Sequence, residues 1–155
     1  MELRKEYDLI CVGAGIMSAT LALLVKQLKP DLNVLIVERL DKVAQESSAA
    51  WNNAGTGHSA LCELNYTPED EAGHVDIKKA IDICTQFEIS KQFWSFLVRE
   101  GLIRNPKSFI SPVPHHSWVK GKENADYLEK RYKAFKVHFM FHSIEFSREI
   151  EKMKE

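Results

Sequence analysis

Four residues near the amino terminus have the types and spacing to hold a nucleotide. Gly13, Gly15 and Ser18 form a G-x-G-x-x-S pattern, and Glu38 follows 23 residues after Gly15. Gly13 permits a tight turn, and Gly15, which lacks a Cβ, permits a phosphate to approach the backbone. A helix beginning near Ile16 would direct free N–H groups and its positive dipole end at that phosphate. The pattern therefore predicts a dinucleotide site.

The acid at residue 38 bears on which dinucleotide fits. A carboxylate there accepts hydrogen bonds from ribose hydroxyls, and it would repel a 2′-phosphate. Ser18 stands where Gly or Ala is usual, but serine is small enough for a helix to pack closely on a strand. The glycine pattern by itself does not decide between dinucleotides, and a nucleotide-free glycine-rich turn is the alternative it leaves open.

The elements that would position these residues follow from the hydrophobic pattern. Residues 9–12 are a short apolar run that ends in glycine, which is typical of a buried parallel strand. Residues 16–28 carry apolar side chains at helical spacing, and Pro30 follows them. Residues 33–38, NVLIVE, predict a second buried strand. A strand, a helix and a strand in succession form a β-α-β unit, so the sequence predicts an α/β fold.

The rest of the chain is predicted to be largely helical. In chain order, the sequence predicts a short helix at 39–51, a polar loop at 51–70, a long amphipathic helix at 76–101, a strand at 116–121, a helix at 122–139 and the start of another helix at 147–155. The apolar stripe predicted to pack the long helix into a core comprises Ile77, Ala80, Ile81, Cys84, Phe87, Trp94, Leu97 and Val98. Gly101 stands where a helix-ending glycine belongs.

Composition excludes several classes of protein. The 155 residues contain 21 Lys and Arg against 22 Asp and Glu, so the net charge of −1 gives no case for nucleic-acid binding. Three widely spaced cysteines without a C-x-x-C favour reduced thiols and support neither a metal site nor a disulfide framework. No stretch has the roughly 18 apolar residues of a membrane span. We expect a protein that is soluble or at most attached to a membrane surface.

A longer stretch resembles a known family. VERLDKVAQESSAAWNNAGTGHSALCELNYTPE, with GAGIMSAT before it and ISKQFW and VPHHSWVKG after it, resembles the amino-terminal part of malate:quinone oxidoreductase. The likeness runs over nearly the whole chain and is densest in NNAGTGHSALCELNYT. This family comprises much longer FAD-dependent enzymes of the tricarboxylic acid cycle, which oxidise malate to oxaloacetate and pass electrons to membrane quinone.

The resemblance implies a fold, a domain organisation and a location. The fold would be a Rossmann-like βαβ FAD-binding domain of the glutathione-reductase/D-amino-acid-oxidase type, incomplete, followed by the start of a substrate domain. Residues 1–105 would belong to the first domain and residues 106–155 to the second. The enzyme would be cytoplasmic and peripheral on the inner face of the cytoplasmic membrane, with malate and quinone as its partners.

The resemblance also implies two groups of FAD-contacting residues. Those expected around the pyrophosphate, the adenosine ribose and the adenine are Gly13, Gly15, Ser18, Glu38 and Arg39. Those expected along the phosphates, the ribitol arm and the flavin ring are Ser47, Ser48, Asn53, Gly55, Thr56, Gly57 and His58. Glycine and neutral polar side chains suit such a loop, because they permit positive φ and donate hydrogen bonds without adding charge. His58 is either a flavin or substrate neighbour or a residue hydrogen-bonded within the loop.

No catalytic residue is assigned. Malate carries two carboxylates, which call for Arg or Lys partners, and the sequence offers no convincing cluster. Arg104, Lys107 and Lys120 are predicted to be surface residues, and His115 and His116 are predicted to be structural or surface residues. Because the sequence stops within a predicted helix, we expect a truncated chain that is inactive alone. Alternatives are a related flavoenzyme acting on another 2-hydroxy acid, an amine or glycerol 3-phosphate, a nicotinamide-binding domain, and a non-catalytic nucleotide-binding remnant.

Overall fold

The computed structural model describes residues 4–57 and 59–149, and the chain divides into two compact units. The first unit runs to Thr56 and the second begins at Gly57. The first contains β1 (Leu9–Val12), α1 (Ile16–Leu28) and β2 (Val34–Val37), and the second contains α2 (Lys78–Arg99) and α3 (Lys122–Lys136). Single 3-10 turns lie at Leu64–Tyr66, Pro106–Ser108 and Phe139–Phe141. The predicted domain boundary after residue 105 stays a prediction.

The first unit is the β-α-β arrangement predicted from the sequence. Strands β1 and β2 pair in parallel, with Leu9 opposite Val34 and Val12 opposite Val37. The Gly13 N–H donates to the Val37 carbonyl at 2.7 Å and carries the pairing one residue into the turn. The α/β class is thereby confirmed, and the carboxyl ends of both strands meet at one edge of the sheet.

One face of this two-stranded sheet is open. On β1, Cys11 is buried, whereas Ile10 and Val12 on the opposite face are 56% and 85% exposed. Parallel sheets are normally covered on both faces, and this is why their strands are apolar throughout. The first unit therefore presents apolar strand residues that its own α1 does not cover.

The second unit contains the hydrophobic core. Its buried cluster comprises Ala60, Ala80, Cys84, Phe135 and Phe141. The stripe predicted on the long helix is confirmed, since Ala80, Cys84 and Leu97 are buried and its other members are partly buried. The helix ends as predicted at Gly101, which has φ +74° and donates its N–H to the Val98 carbonyl at 3.0 Å.

The helix predicted at 39–51 is wrong. Only isolated turns form there, with the N–H of Ala49 bonded to the Glu46 carbonyl and the N–H of Asn52 bonded to the Ala49 carbonyl. Ala44 is in the left-handed region at φ +59°, which interrupts a right-handed helix. The side chains of Asn52 and Ser48 bond to backbone groups instead, as these residue types do in turns.

The strand predicted at 116–121 is also wrong. These residues are exposed, and the sheet in the described part of the chain contains β1 and β2 alone. A strand needs a second strand to pair with its backbone groups, and no strand among the described residues pairs with this segment. The helix predicted from residue 147 lies largely outside the described residues. None of the helices that the structure describes is long and apolar enough to cross a membrane.

Candidate functional site

A cavity of about 620 Å³ lies in the first unit, at the carboxyl ends of the two strands. Its lining residues are Val12, Gly13, Gly15, Val37, Glu38, Arg39, Ala44, Gln45, Glu46, Ser47 and Ser48. Six of the twelve predicted cofactor-binding residues are in this lining, namely Gly13, Gly15, Glu38, Arg39, Ser47 and Ser48. The carboxyl edge of a parallel sheet is where ligands bind in open α/β folds.

The glycine-rich turn has the geometry that an anion site requires. Gly13 has φ +90°, a conformation that side-chain-bearing residues rarely adopt. Gly15 is the N-cap of α1 and has no side chain with which to cap the helix, and the first turn contains no acidic residue. The positive end of the helix dipole thus faces the cavity without a neutralising carboxylate of its own.

The Glu38 carboxylate is fixed by the turn that it faces. Its Oε2 accepts the Ala14 N–H at 2.7 Å, and its Oε1 accepts the Leu40 N–H at 3.0 Å. These backbone hydrogen bonds hold the pKa of the Glu38 carboxyl below its ordinary value of 4.5, and the bond from Leu40 has the largest effect. A carboxylate has about four acceptor positions, so Glu38 keeps capacity for ligand hydroxyls while remaining charged at neutral pH.

Residues 44–48 fold over the glycine-rich turn. The Ala44 N–H donates to the Ala14 carbonyl at 3.1 Å, and the Ile16 N–H donates to Ser48 Oγ at 2.9 Å. A Cβ on Gly15 would lie 3.1 Å from that same Ser48 Oγ. The serine hydroxyl therefore lies at the helix N-terminus, where the sequence predicts phosphate.

Sequence reasoning missed the contribution of Ala44, Gln45 and Glu46 to the cavity. The helix predicted over 39–51 concealed it, because a helix would not bend these residues back onto the turn. Ala, Gln and Glu are strong helix formers, so the local sequence gives no signal for this turn. Glu46 also pairs with Arg39, with 2.8 Å between Glu46 Oε1 and Arg39 Nη2, although both side chains are largely exposed.

The remaining predicted residues of the first unit lie outside the lining. Ser18 is half-buried within α1. Asn53 Nδ2 donates to the carbonyl of the lining residue Ser47 at 3.2 Å. Asn53 Oδ1 accepts the Gly55 N–H at 2.7 Å. Thr56 is exposed. Asn53 thus holds the start of the predicted flavin segment against the cavity wall.

The last two predicted residues, Gly57 and His58, follow the division between the units. Gly57 belongs to the second unit, where an added Cβ would meet the Phe87 ring at 2.5 Å. His58 lies outside the described residues. The residues predicted to be on the surface, Arg104, Lys107, Lys120, His115 and His116, are all exposed.

Comparison with known proteins identifies one family across the chain. The family model described as malate:quinone oxidoreductase (Mqo) matches residues 5–155. A probable malate:quinone oxidoreductase from Flavobacterium psychrophilum is 56% identical over 150 residues, which are 97% of this chain and 30% of that protein. Proteins of the same description from Bacillus cytotoxicus and Rhodococcus erythropolis are 54% identical over 153 residues and 57% identical over 139 residues. They cover 99% and 90% of this chain, which corresponds to 31% and 27% of their own lengths.

Proposed function

Because the chain belongs to the malate:quinone oxidoreductase family, we propose that it forms the amino-terminal FAD-binding part of an enzyme that oxidises (S)-malate to oxaloacetate. The electrons would pass from malate to FAD and then to a membrane quinone. The relatives' descriptions name malate and quinone. The chain spans about 30% of the length of those relatives, so the complete reaction is proposed for the whole enzyme.

One observation carries the cofactor assignment: Gly13, Gly15 and Glu38 meet at a single cavity beneath the N-terminus of α1. The residues fit the adenosine diphosphate half of FAD. The turn has positive φ, the helix end favours a diphosphate, and the carboxylate retains acceptor positions for ribose hydroxyls. For a phosphate to reach the Ile16 N–H, Ser48 must turn its hydroxyl from that N–H towards the ligand.

The roles of the other residues follow from their positions. Arg39 lies in the lining with an exposed guanidinium, which suits stacking against adenine. Ser47 and Ser48 are donors for the phosphates or the ribitol, and residues 53–58 would continue along the ribitol arm towards the flavin. Bound FAD would accept the hydride from malate. The glutathione-reductase/D-amino-acid-oxidase fold type and attachment to the inner face of the cytoplasmic membrane belong to the same proposal.

The same proposal includes that the 155-residue chain alone does not oxidise malate. Two substrate carboxylates require cationic partners, and Arg104, Lys107 and Lys120 are exposed residues outside the lining of the cavity described above. The test is malate-dependent reduction of a quinone analogue by the purified chain with added FAD. A full-length relative, such as the Flavobacterium psychrophilum protein, is the positive control. We expect turnover by the relative and none by the chain, and robust turnover by the chain would contradict this part of the proposal.

A further inference from the structure

Helix α3 holds the segment that follows the predicted flavin loop through a buried arginine. Arg131 is 6% exposed, and its Nε donates to Thr67 Oγ1 at 2.9 Å. Its Nη2 donates to the carbonyls of Leu61 and Ala60 at 3.0 and 3.3 Å. No carboxylate among the described residues forms an ion pair with Arg131. Its charge is therefore directed at the backbone of one segment.

Two neighbours of Arg131 on α3 contact the same segment. The Tyr127 hydroxyl donates to the Thr67 carbonyl at 2.7 Å, and Lys130 pairs with Glu69. The Arg131 guanidinium also lies 4.6 Å from the centre of the Phe135 ring. A guanidinium is a rigid planar fork, so its three contacts fix the direction of the backbone as well as its distance.

The backbone held in this way is strained. Ala60 is fully buried with φ +63°, a left-handed conformation that is unfavourable for alanine. Such a conformation persists only where the surroundings over-determine it, and it is concentrated at functional sites. Arg131 contacts the carbonyl of that residue and of the next one.

The other end of the same stretch is fixed by α2. Gly57 lies so close to Phe87 that a Cβ would be 2.5 Å from the ring, and the Ser59 N–H donates to the Gly57 carbonyl at 3.0 Å. Gly57 thus contacts α2, and Ala60 and Leu61 contact α3. These residues include the end of the segment predicted to border the flavin.

We infer that Arg131 is a positioning residue for residues 59–61, which continue the chain from the end of the predicted flavin segment within the second unit, and this inference rests on the proposed function. An unpaired buried charge is costly, and an apolar side chain of similar volume often stabilises a core as well or better. A purely stabilising role therefore does not explain an arginine here. Fixing the direction of a strained backbone that leads into the cofactor segment does explain it.

The helical spacing of Leu128, Tyr132 and Phe135 predicts α3 and does not include Arg131, but the sequence contains a signal for this residue. Tyr127, Arg131 and Phe135 recur at spacings of four and share one face of α3. Arg131 and Phe135 are the buried residues of that helix.

The test is amide hydrogen exchange of the full chain, comparing wild type with Arg131→Met and with the control Lys130→Met. Both variants remove a cation that contacts the same segment, but Lys130 pairs with the Glu69 side chain, whereas Arg131 bonds to backbone carbonyls. We expect Arg131→Met to speed exchange across residues 59–67 by about tenfold or more, because the local opening free energy falls. Exchange in α2 and α3 should stay close to wild type, as should exchange throughout Lys130→Met.

The inference would be overturned if Arg131→Met leaves exchange at residues 59–67 unchanged. It would also be overturned if exchange in α2 and α3 is accelerated as much as exchange at residues 59–67. If Arg131→Met does not fold, Arg131→Lys carries the same test, because an ammonium cannot reproduce the three-way fork. Added FAD separates the inference from the function on which it rests. We expect FAD to slow exchange at residues 53–57 in wild type, and to slow it less in Arg131→Met. If FAD gives no protection in wild type, that result counts against the proposed function. The comparison without FAD still decides the inference about Arg131.

Discussion

At the scale of single residues, Glu38 links the fold of the first unit to its proposed ligand. Its two carboxylate oxygens accept the N–H groups of Ala14, in the glycine-rich turn, and of Leu40, after β2. The same charge orders the turn and leaves acceptor positions for a ribose. The spacing in the sequence predicts an acid at this place, but the two backbone bonds depend on the path of residues 39–40, which no periodicity encodes.

These bonds predict a pH dependence in the turn. A carboxyl whose folded pKa is lowered adds stability that is present above its unfolded pKa and is lost as pH falls through the folded pKa. For Glu38 that loss should occur at a midpoint below 4.5. The amide chemical shifts of Ala14 and Leu40 should report it in an acid titration of the wild-type chain.

The controls for this titration are two neighbouring variants. Glu38→Gln should abolish the transition at both amides, because the amide side chain does not titrate. Asp41→Asn, which removes an exposed acid nearby, should leave it in place. A midpoint at or above 4.5 in the wild type would contradict the assignment of these bonds.

At the scale of elements, alanine substitutions of the two motif glycines should have different effects on stability and on FAD binding. In Gly13→Ala the residue must keep φ +90°, so we expect the free energy of unfolding to fall by about 1–2 kcal/mol. In Gly15→Ala the new Cβ meets only the movable Ser48 hydroxyl at 3.1 Å, so the loss should stay below about 1 kcal/mol. A diphosphate that approaches the Gly15 backbone would nevertheless be blocked, and FAD affinity should fall at least about tenfold.

Urea unfolding followed by far-ultraviolet circular dichroism measures the first quantity, and quenching of FAD fluorescence measures the second. If Gly15→Ala binds FAD like the wild type, the close approach of the pyrophosphate to this glycine is wrong.

Helix α3 offers a second prediction at this scale. The Tyr127 hydroxyl donates to the Thr67 carbonyl at 2.7 Å and lies 2.8 Å from the Thr67 hydroxyl. Tyr127→Phe leaves these part-buried groups short of a partner, so the free energy of unfolding should fall by about 1–2 kcal/mol in urea. Tyr132→Phe is the matched control, because its ring still stacks on Phe146 at 5.9 Å. Equal losses in the two variants would contradict the importance of the Thr67 contact.

The elements predicted correctly are those that periodicity encodes. The apolar run of β1, the stripes of α1 and α2, and the glycine after α2 each follow from local pattern and agree with the structure. The two failures, at 39–51 and 116–121, depend on partners instead. The first segment folds back onto the glycine-rich turn, and in the part of the chain that the structure describes no strand lies beside the second. Neither tertiary circumstance can be inferred from composition.

At the scale of the whole molecule, the two units differ in how completely they bury their apolar residues. The second has a core built around Phe135 and Phe141, whereas the first exposes Ile10 and Val12 on one face of its sheet. The relatives are much longer than this chain, which covers about 30% of them. Because one apolar sheet face of the nucleotide-binding unit is open, we expect these residues alone to hold FAD weakly.

The family could be inferred from the sequence because a long run of specific residues, NNAGTGHSALCELNYT, carries it, and the family comparison confirms it. The candidate site could be inferred in part. Glycine spacing and the acid after β2 located the cavity, while the roles of Ala44, Gln45 and Arg131 arise from contacts between distant segments.

The central claim is that the cavity of the first unit is an FAD site, and a nuclear magnetic resonance titration of the labelled chain tests it most directly. Millimolar FAD should shift the amides of Gly13, Gly15, Ile16 and Leu40 and also those of residues 53–57. ADP, which lacks the flavin half, should shift only the first group. The claim would be contradicted if the amide chemical shifts of residues 13–16 do not change at saturating FAD. Chemical-shift changes confined to other parts of the chain would also contradict it.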